Sequence, residues 1–367
     1  MKILILCNSA MGLHSFRGLL IETLKNRGDT VVAVVPSTSD AHELFSEQEL
    51  ISLDCNLIHI DMDRRGTNPV RDCKLFADFF GIIRREKPDF VITYTIKPNI
   101  YGGVACRLAG ITYAVNITGL GTAFENNGVV KKIVCALYKF SLKKAKVVFF
   151  ENSGNREKIV NLGLVKKEKT KVLAGAGVDL DKFPFVKFPA ESEETRFLFV
   201  GRVMKEKGID ELLCVMKRLQ DNGSRCTLDI VGWLEEDYAA LIKQYEKEGW
   251  LRYHGVQNDV RPFIENCHCF VLPSWHEGMA NTNLESAASG RPVITSNIYG
   301  CLEAVIDGVT GFLCEKKNVD DLYDKLNMFC KLDYKSRVTM GIEGRKHMER
   351  KFDKKIIVAE TIENLNF

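Results

Sequence analysis

Apolar and polar positions along this chain follow two interleaved rhythms: short, continuously apolar runs, and longer stretches with a helical period. In the first half, residues 3–6, 30–35, 56–60, 90–93, 114–117 and 147–150 predict strands. Runs that are apolar on both faces belong to a parallel sheet covered by helices on each side. Helices are predicted between them, over 16–27, 41–53, 69–87, 100–109 and 129–144. A second series starts at Arg196. Its strands are 197–200, 227–231, 251–253, 269–272, 292–295 and 311–313, and its helices are 208–222, 237–248, 260–266, 282–289 and 319–332. The segment from Phe183 to Glu194 is rich in Pro and Glu and lacks clear periodicity, so the linker is expected there. The tail 333–367 reads as mostly helical, with a break near Phe352-Asp353. The expected fold class is therefore α/β: two doubly wound domains, 1–183 and 196–352, joined by a linker over 184–195 and facing a central cleft. In such sheets ligands bind beyond the carboxyl ends of the strands.

Composition narrows this only slightly. The length of 367 residues exceeds what one core organises. No apolar run approaches the roughly 20 residues that span a bilayer. The opening Met-Lys-Ile-Leu-Ile-Leu-Cys is too short for a leader and ends at Asn8 and Ser9 without a cleavage pattern, so it reads as a buried first strand. A net charge of +3 gives no argument for nucleic acid. The 12 cysteines are scattered, with no C-x-x-C pair, and Cys267-His268-Cys269 lacks the spacing of a zinc site. Reduced, mostly buried thiols in a cytoplasmic protein are expected. Asp179-Leu-Asp181 and Asp61-Met-Asp63 match D-x-D, but each lacks a third ligand, and no metal is expected.

The stretch from Glu277 to Ile294 carries the most chemistry. It reads as a loop with one carboxylate, Glu277, then a short helix with a second, Glu285, then the stop Gly290 and a buried strand. Unpaired amides around Ala280–Asn283 form an anion site helped by the helix dipole. Carboxylates accept from paired sugar hydroxyls, so the layout suits a sugar carried on a nucleotide diphosphate. Taken alone, the same two Glu residues could be surface charges favouring a helix start. Gly201-Arg202-Val-Met-Lys205-Glu-Lys207-Gly208 follows a strand and precedes a helix, so Arg202 and Lys207 can reach phosphate oxygens. A solvated basic loop is the plainer alternative.

The first strand opens into Asn8-Ser-Ala-Met-Gly12-Leu-His14, a loop without the G-x-G-x-x-G of dinucleotide sites. His14 there can bind a sugar or phosphate, or be structural. Three other strand-end segments carry polar groups: Arg64-Arg65 beside a turn, Lys97-Pro98-Asn99 before a helix, and Thr118-Gly119-Leu-Gly121 at a bend. From Val129 to Lys146, Lys131, Lys132, Lys139, Lys143, Lys144 and Lys146 surround Ile133, Val134, Leu137, Phe140 and Leu142. Such a face can lie on anionic headgroups or simply be solvated.

With these motifs the chain resembles, over nearly its whole length, the family 4 retaining glycosyltransferases of GT-B fold. Glu277 to Glu285 matches the family's E-x7-E motif, and Gly201-Arg202 through Lys207-Gly208 its pyrophosphate-binding stretch. Gly177-Val-Asp179 with Phe183, and Glu303, Gly308 and Gly311, fit the flanking pattern. The resemblance implies two Rossmann-like domains, with residues 353–367 crossing back to the first. It implies that Glu277 contacts the donor hexose and Glu285 the ribose. Arg202 and Lys207 would hold the diphosphate with amides near Met279, Ala280 and Asn281. Gly12 and Gly201 would lie near the phosphates, and Gly255 with 256–260 near the base. Where many members carry a His before Gly119, this chain has Thr118, so that His's role does not carry over.

Arg64, Arg65, Lys97, Asn99, Thr118 and Gly119, with His14, look similar to the acceptor side of the subgroup that extends bacterial surface glycans on a polyprenyl-diphosphate carrier. The implied reaction moves a hexose or N-acetylhexosamine from a UDP-sugar with retention. Arg202, Lys207 and Glu277 would be its catalytic residues, with no cofactor and no protein general base. The implied setting is the cytoplasmic side of the cell membrane, touched through the stretch from Val129 to Lys146. A sugar-nucleotide epimerase of the same fold, or a catalytically silent glycan- or nucleotide-binding protein, are the alternatives.

Overall fold

A computed structural model describes every residue except Arg64, Arg65, Thr67, Thr122, Ala123, residues 125–127 and Phe367, and excepting the side chains of Val129 and Val130. The chain divides into two compact units, Met1–Ala176 with Lys355–Phe367, and Gly177–Lys354.

In the first unit the elements run β1 (Lys2–Leu6), α1 (Ala10–Asn26), β2 (Thr30–Pro36), α2 (Ala41–Ser52), β3 (Asn56–Ile60), α3 (Pro69–Glu86) and β4 (Phe90–Tyr94). A π-turn (Pro98–Gly102) leads into α4 (Gly103–Ala109), β5 (Tyr113–Ile117), α5 (Val129–Leu142), β6 (Val147–Phe150), α6 (Ser153–Asn161) and β7 (Thr170–Val172). The strands order as β3-β2-β1-β4-β5-β6-β7, all parallel. Period-two alternation splits each strand between two cores. Leu4 and Leu6 pack on one face with Phe79 of α3 and Tyr138 of α5. Ile3 and Ile5 pack on the other with Leu20 of α1.

The second unit contains β8 (Thr195–Val200), α7 (Ile209–Asp221), β9 (Cys226–Val231), α8 (Ala239–Lys247), β10 (Leu251–Tyr253), α9 (Arg261–Asn266) and β11 (Cys269–Leu272). It continues with α10 (Asn281–Ala288), β12 (Val293–Ser296), β13 (Gly311–Cys314), α11 (Val319–Lys331) and α12 (Tyr334–Lys351). Its sheet is ordered β10-β9-β8-β11-β12-β13, again parallel. The final helix, α13 (Lys354–Leu365), returns to the first unit, where Ile357, Val358 and Leu365 are buried with Ile3 and Ile5. Both sheets are Rossmann-like. Each reverses winding direction once, between β1 and β4 and between β8 and β11, and such switch points are where doubly wound sheets bind ligands.

Three expectations need correction. The segment 184–195 is not a spacer. Val186 donates to the Ser289 carbonyl, and Phe188 is buried against His268 and Tyr334. Arg291, wholly buried, donates to the carbonyls of Val186, Lys187, Ile264, Glu265 and Ser289 at 2.8–3.2 Å. The division therefore falls at Ala176/Gly177 and not near 183. Next, α1 starts at Ala10, not near Phe16, because the Ser9 hydroxyl caps it by accepting the Gly12 N–H. Gly12 and His14 consequently lie on a helix and not in a loop. Finally, α6 and β7 escaped the pattern. Only Ile159 is buried on α6, and β7 is a short, largely polar edge strand.

Replacing Arg291 by Met should lower unfolding free energy by more than about 3 kcal/mol, because several buried carbonyls lose their donor at once. Removing the exposed Arg225, whose partner Glu193 is also exposed, should cost no more than about 0.5 kcal/mol. Urea titrations of both variants test this, and equal losses would contradict it.

Candidate active site

The site in the second unit begins where β8 ends. Gly201 donates to Val231, and the chain then passes Arg202 and a 3-10 turn, Lys205–Lys207, before Gly208 starts α7. Gly208 has φ +73°, and a Cβ there would overlap the Pro273 carbonyl. Glycine thus lets the loop after β8 lie directly on the loop after β11. The Trp275 N–H donates to the Glu206 carbonyl at 2.9 Å and fastens the two loops together.

That close approach puts the Lys207 ammonium in a short ion pair with Glu277 Oε1, both largely buried. The Ser274 hydroxyl donates to the same oxygen at 2.8 Å. Residues 70 positions apart are therefore joined at the switch point of the sheet. Arg202 lies 3.9 Å from Glu235, whose carboxylate also accepts from Trp233 Nε1 at 2.8 Å. Gly255 accepts from the Gly232 N–H at the adjoining strand ends.

The start of α10 differs from expectation. Ala280 donates to the Gly300 carbonyl at 2.7 Å and Asn283 to the Ala280 carbonyl at 3.0 Å, so neither amide is available to an anion. The N–H groups of Met279, Asn281 and Thr282 take no part in these two bonds. The amides left to an oxyanion are then those of Met279, Asn281 and Thr282, all within the stretch the sequence suggested. The Asn281 side-chain oxygen is buried without a partner.

Glu303 supports this loop. Its Oε2 accepts the Gly300 N–H at 2.7 Å, and His347 Nε2 lies 2.9 Å from its carbonyl oxygen. Gly300, at φ +90°, packs against the carbonyls of Glu277 and Gly278, where a side chain would not fit. Glu285 stands on α10, half-buried. Burial pushes its carboxyl up to about 7, against the pull of Lys182 and Lys354. Among the described residues no hydrogen bond or ion pair links Arg202 or Glu285 to the Lys207–Glu277 pair.

In the first unit a cavity of about 250 Å³ opens at the corresponding switch point, lined by Asn8, Thr95, Ile96, Lys97, Thr118, Gly119 and Gly121. It unites Lys97, Thr118 and Gly119 and adds Asn8 and Thr95, which the sequence did not single out. Thr95 has φ +71°, a conformation costly for a β-branched residue and concentrated at functional sites.

Two residues expected to bind ligand have other work. Asn99 is 1% exposed, accepts from Thr93 at 2.7 Å and donates to the Asn116 carbonyl at 2.7 Å, so it braces β4 against β5. The Gly12 N–H is taken by Ser9, and Glu43 accepts from Met11 at 2.9 Å, so a carboxylate already occupies that helix start. The His14 ring lies over Gly18 on its own helix, outside the lining of the cavity. Arg64 and Arg65 lie outside the described residues.

Comparison with known proteins identifies glycosyltransferase domains in both halves of the chain. The profile described as "Glycosyl transferases group 1" matches residues 182–347, and that described as "Glycosyl transferase 4-like" matches 2–152. The N,N'-diacetylbacillosaminyl-diphospho-undecaprenol alpha-1,3-N-acetylgalactosaminyltransferase of Campylobacter jejuni is 28% identical over 357 residues, 93% of this chain and 92% of its own. The capsular polysaccharide biosynthesis glycosyltransferase CapM of Staphylococcus aureus is 27% identical over 337 residues, 88% of each chain. Among solved structures, Anabaena HepE in complex with UDP and glucose superposes with TM-score 0.79 at 18% identity, covering 100% of this chain and 99% of that one.

The raised Glu285 carboxyl makes a signed prediction. Its folded pKa exceeds the 4.5 of a free carboxyl, so between about 4.5 and 7 the folded state binds more protons than the unfolded one. Its contribution to stability is present below that window and is lost as pH rises through it. Relative to Glu285→Gln, the wild type should therefore lose melting temperature between pH 5 and pH 8. A pH-independent difference, or one that grows in favour of the wild type, would contradict the assignment.

Proposed function

Because the chain belongs to the group 1, glycosyltransferase 4-like glycosyltransferases, we propose that it moves a hexose or N-acetylhexosamine from a UDP-sugar to a polyprenyl-diphosphate-linked saccharide. The setting is bacterial surface-glycan synthesis. The observation that carries the reading is the Lys207–Glu277 pair at the second switch point, beside the amides that open α10. The relatives support the acceptor class: the C. jejuni enzyme and an Escherichia coli galactosyltransferase, 29% identical over 283 residues, both name diphospho-undecaprenol acceptors.

In this reading the donor diphosphate meets Lys207, Arg202 and the amides of Met279 and Asn281. An ammonium has three N–H donors, and Glu277 takes one while fixing the direction of the others. As the bond to the anomeric carbon breaks, negative charge grows on the leaving diphosphate. Cations already oriented there stabilise it without reorganising. Configuration is retained, with the departing phosphate taking the acceptor proton on the same face, and no protein base is required. Glu277 also reaches the hexose hydroxyls, and Glu285 accepts from the ribose. Gly201 and Gly255 let the backbone approach the nucleotide.

The acceptor diphosphate is assigned to the cavity at Lys97, Thr118 and Gly119. The protein works on the cytoplasmic side of the membrane and meets it through α5. There Ile133 and Phe140 are 53% and 43% exposed, beside Leu108 of α4 at 58%. Lys132, Lys139, Lys143 and Lys144 are exposed around them, and the Arg107 guanidinium stacks 3.8 Å from the Phe140 ring. Apolar side chains ringed by cations suit an anionic bilayer surface. Among the described residues no helix is long and apolar enough to cross a membrane.

Incubation with labelled UDP-sugars, with and without a polyprenyl-diphosphate sugar, tests the reaction. Product that requires the acceptor is expected; a new nucleotide sugar without acceptor would make the protein an epimerase. Lys207→Ala and Arg202→Ala should each lower kcat at least about a hundredfold, and near-normal turnover in both would remove the electrostatic source. Charge reversal at Lys132, Lys139 and Lys143 should abolish sedimentation with anionic phosphatidylglycerol vesicles; unchanged sedimentation would exclude α5 as the membrane face.

A further inference from the structure

The cavity at Lys97 has a support that neither the sequence nor the relatives assign. Asp72, in the first turn of α3, lies 2.8 Å from the Lys97 ammonium through Oδ1. Its other oxygen accepts from the Tyr101 hydroxyl at 2.9 Å. Lys97 and Asp72 are only 14% and 15% exposed, so solvent screens the pair weakly. Tyr101 belongs to the π-turn Pro98–Gly102, and π-turns recur at functional sites. Burial and Asp72 hold its phenol well above the usual range, so it remains a donor at every physiological pH.

The parts interlock. Asn68 caps α3 by accepting from Val70 and Arg71, and Pro69 opens the helix, which sets the position of Asp72. Thr95, held at positive φ, turns the chain after β4 so that Ile96 and Lys97 line the cavity. A lysine side chain ordinarily samples many rotamers. Here one N–H is fixed by a carboxylate that is itself fixed by a phenol. An ammonium held this way offers its remaining N–H donors to the cavity in a set direction.

Resting on the acceptor assignment above, we propose that Asp72 and Tyr101 are positioning residues. They aim Lys97 at the diphosphate of the acceptor and so give the cavity its preference for a diphosphate-linked sugar over the same sugar on an uncharged aglycone. Asp72 lowers the net charge of the site while improving its geometry, a trade that favours a ligand bearing phosphate at a fixed place over anions in general.

The test uses the whole chain saturated with UDP, which fills the donor side. Binding is measured by calorimetry for a short-chain prenyl-diphospho-N-acetylhexosamine and for the same hexosamine as an alkyl glycoside. Asp72→Asn and Tyr101→Phe should weaken the diphosphate compound roughly tenfold, about the size of one charge-assisted hydrogen bond, and leave the glycoside unchanged. In a Lys97→Met background, Asp72→Asn should add less than about twofold, because the group it positions is gone. Tyr101→Phe carries the test if Asp72→Asn does not fold. Equal weakening of both compounds, additive losses with Lys97→Met, or wild-type affinity in both variants would overturn the inference alone. A wild type that binds neither compound would overturn the acceptor reading, and the inference with it.

Discussion

The ion pair between Lys207 and Glu277 is the constraint on which the second unit's site depends. It exists because Gly208 lets the loop after β8 rest on the backbone of the loop after β11. The same two loops are tied by the backbone bond from Trp275 to Glu206. From Glu277 the support continues through Gly300, whose carbonyl holds the Ala280 amide and whose N–H is held by Glu303. A cation, a carboxylate and a helix start are thereby fixed in one neighbourhood before any ligand arrives. Preorganisation of this kind is what makes an electrostatic site effective, since the dipoles need not move as charge develops.

The first unit uses the same topology with different chemistry. Its cavity also lies at the point where the sheet reverses, between the strand ends of β1, β4 and β5. Backbone strain at Thr95 takes the place of a close glycine contact, and a buried pair, Asp72 and Lys97, takes the place of Lys207 and Glu277. In both units the cation is never left alone in a low-dielectric setting. A carboxylate partner offsets its desolvation, and the geometry of that partner decides where the other donors point.

Much of this was legible in the residues. Continuous apolar runs such as those at β1, β2 and β11 are buried on both faces, so the parallel sheets and their approximate ends follow from pattern alone. The E-x7-E spacing and the basic loop after β8 pointed to Glu277 and Lys207, and the fold joins these two in an ion pair. What failed was local in appearance and tertiary in fact. Gly12 looked like a loop residue because its helix is capped by Ser9 and closed by Glu43 from α2. Asn99 was assigned to the acceptor by resemblance, yet it is buried between two strands.

By itself, then, the sequence determined the α/β class and most of the strands and helices, which depend on neighbours within a few turns of chain. Only the tertiary structure decided which polar groups are free to act. Arg291 was an anonymous cation in the sequence and became the clamp that makes 184–195 part of a domain. Asp72 was one acid on an amphipathic helix and became the partner of Lys97. The reason is physical: a polar side chain's role is set by the partners that satisfy it in the folded state, and those partners come from parts of the chain that composition and period cannot bring together.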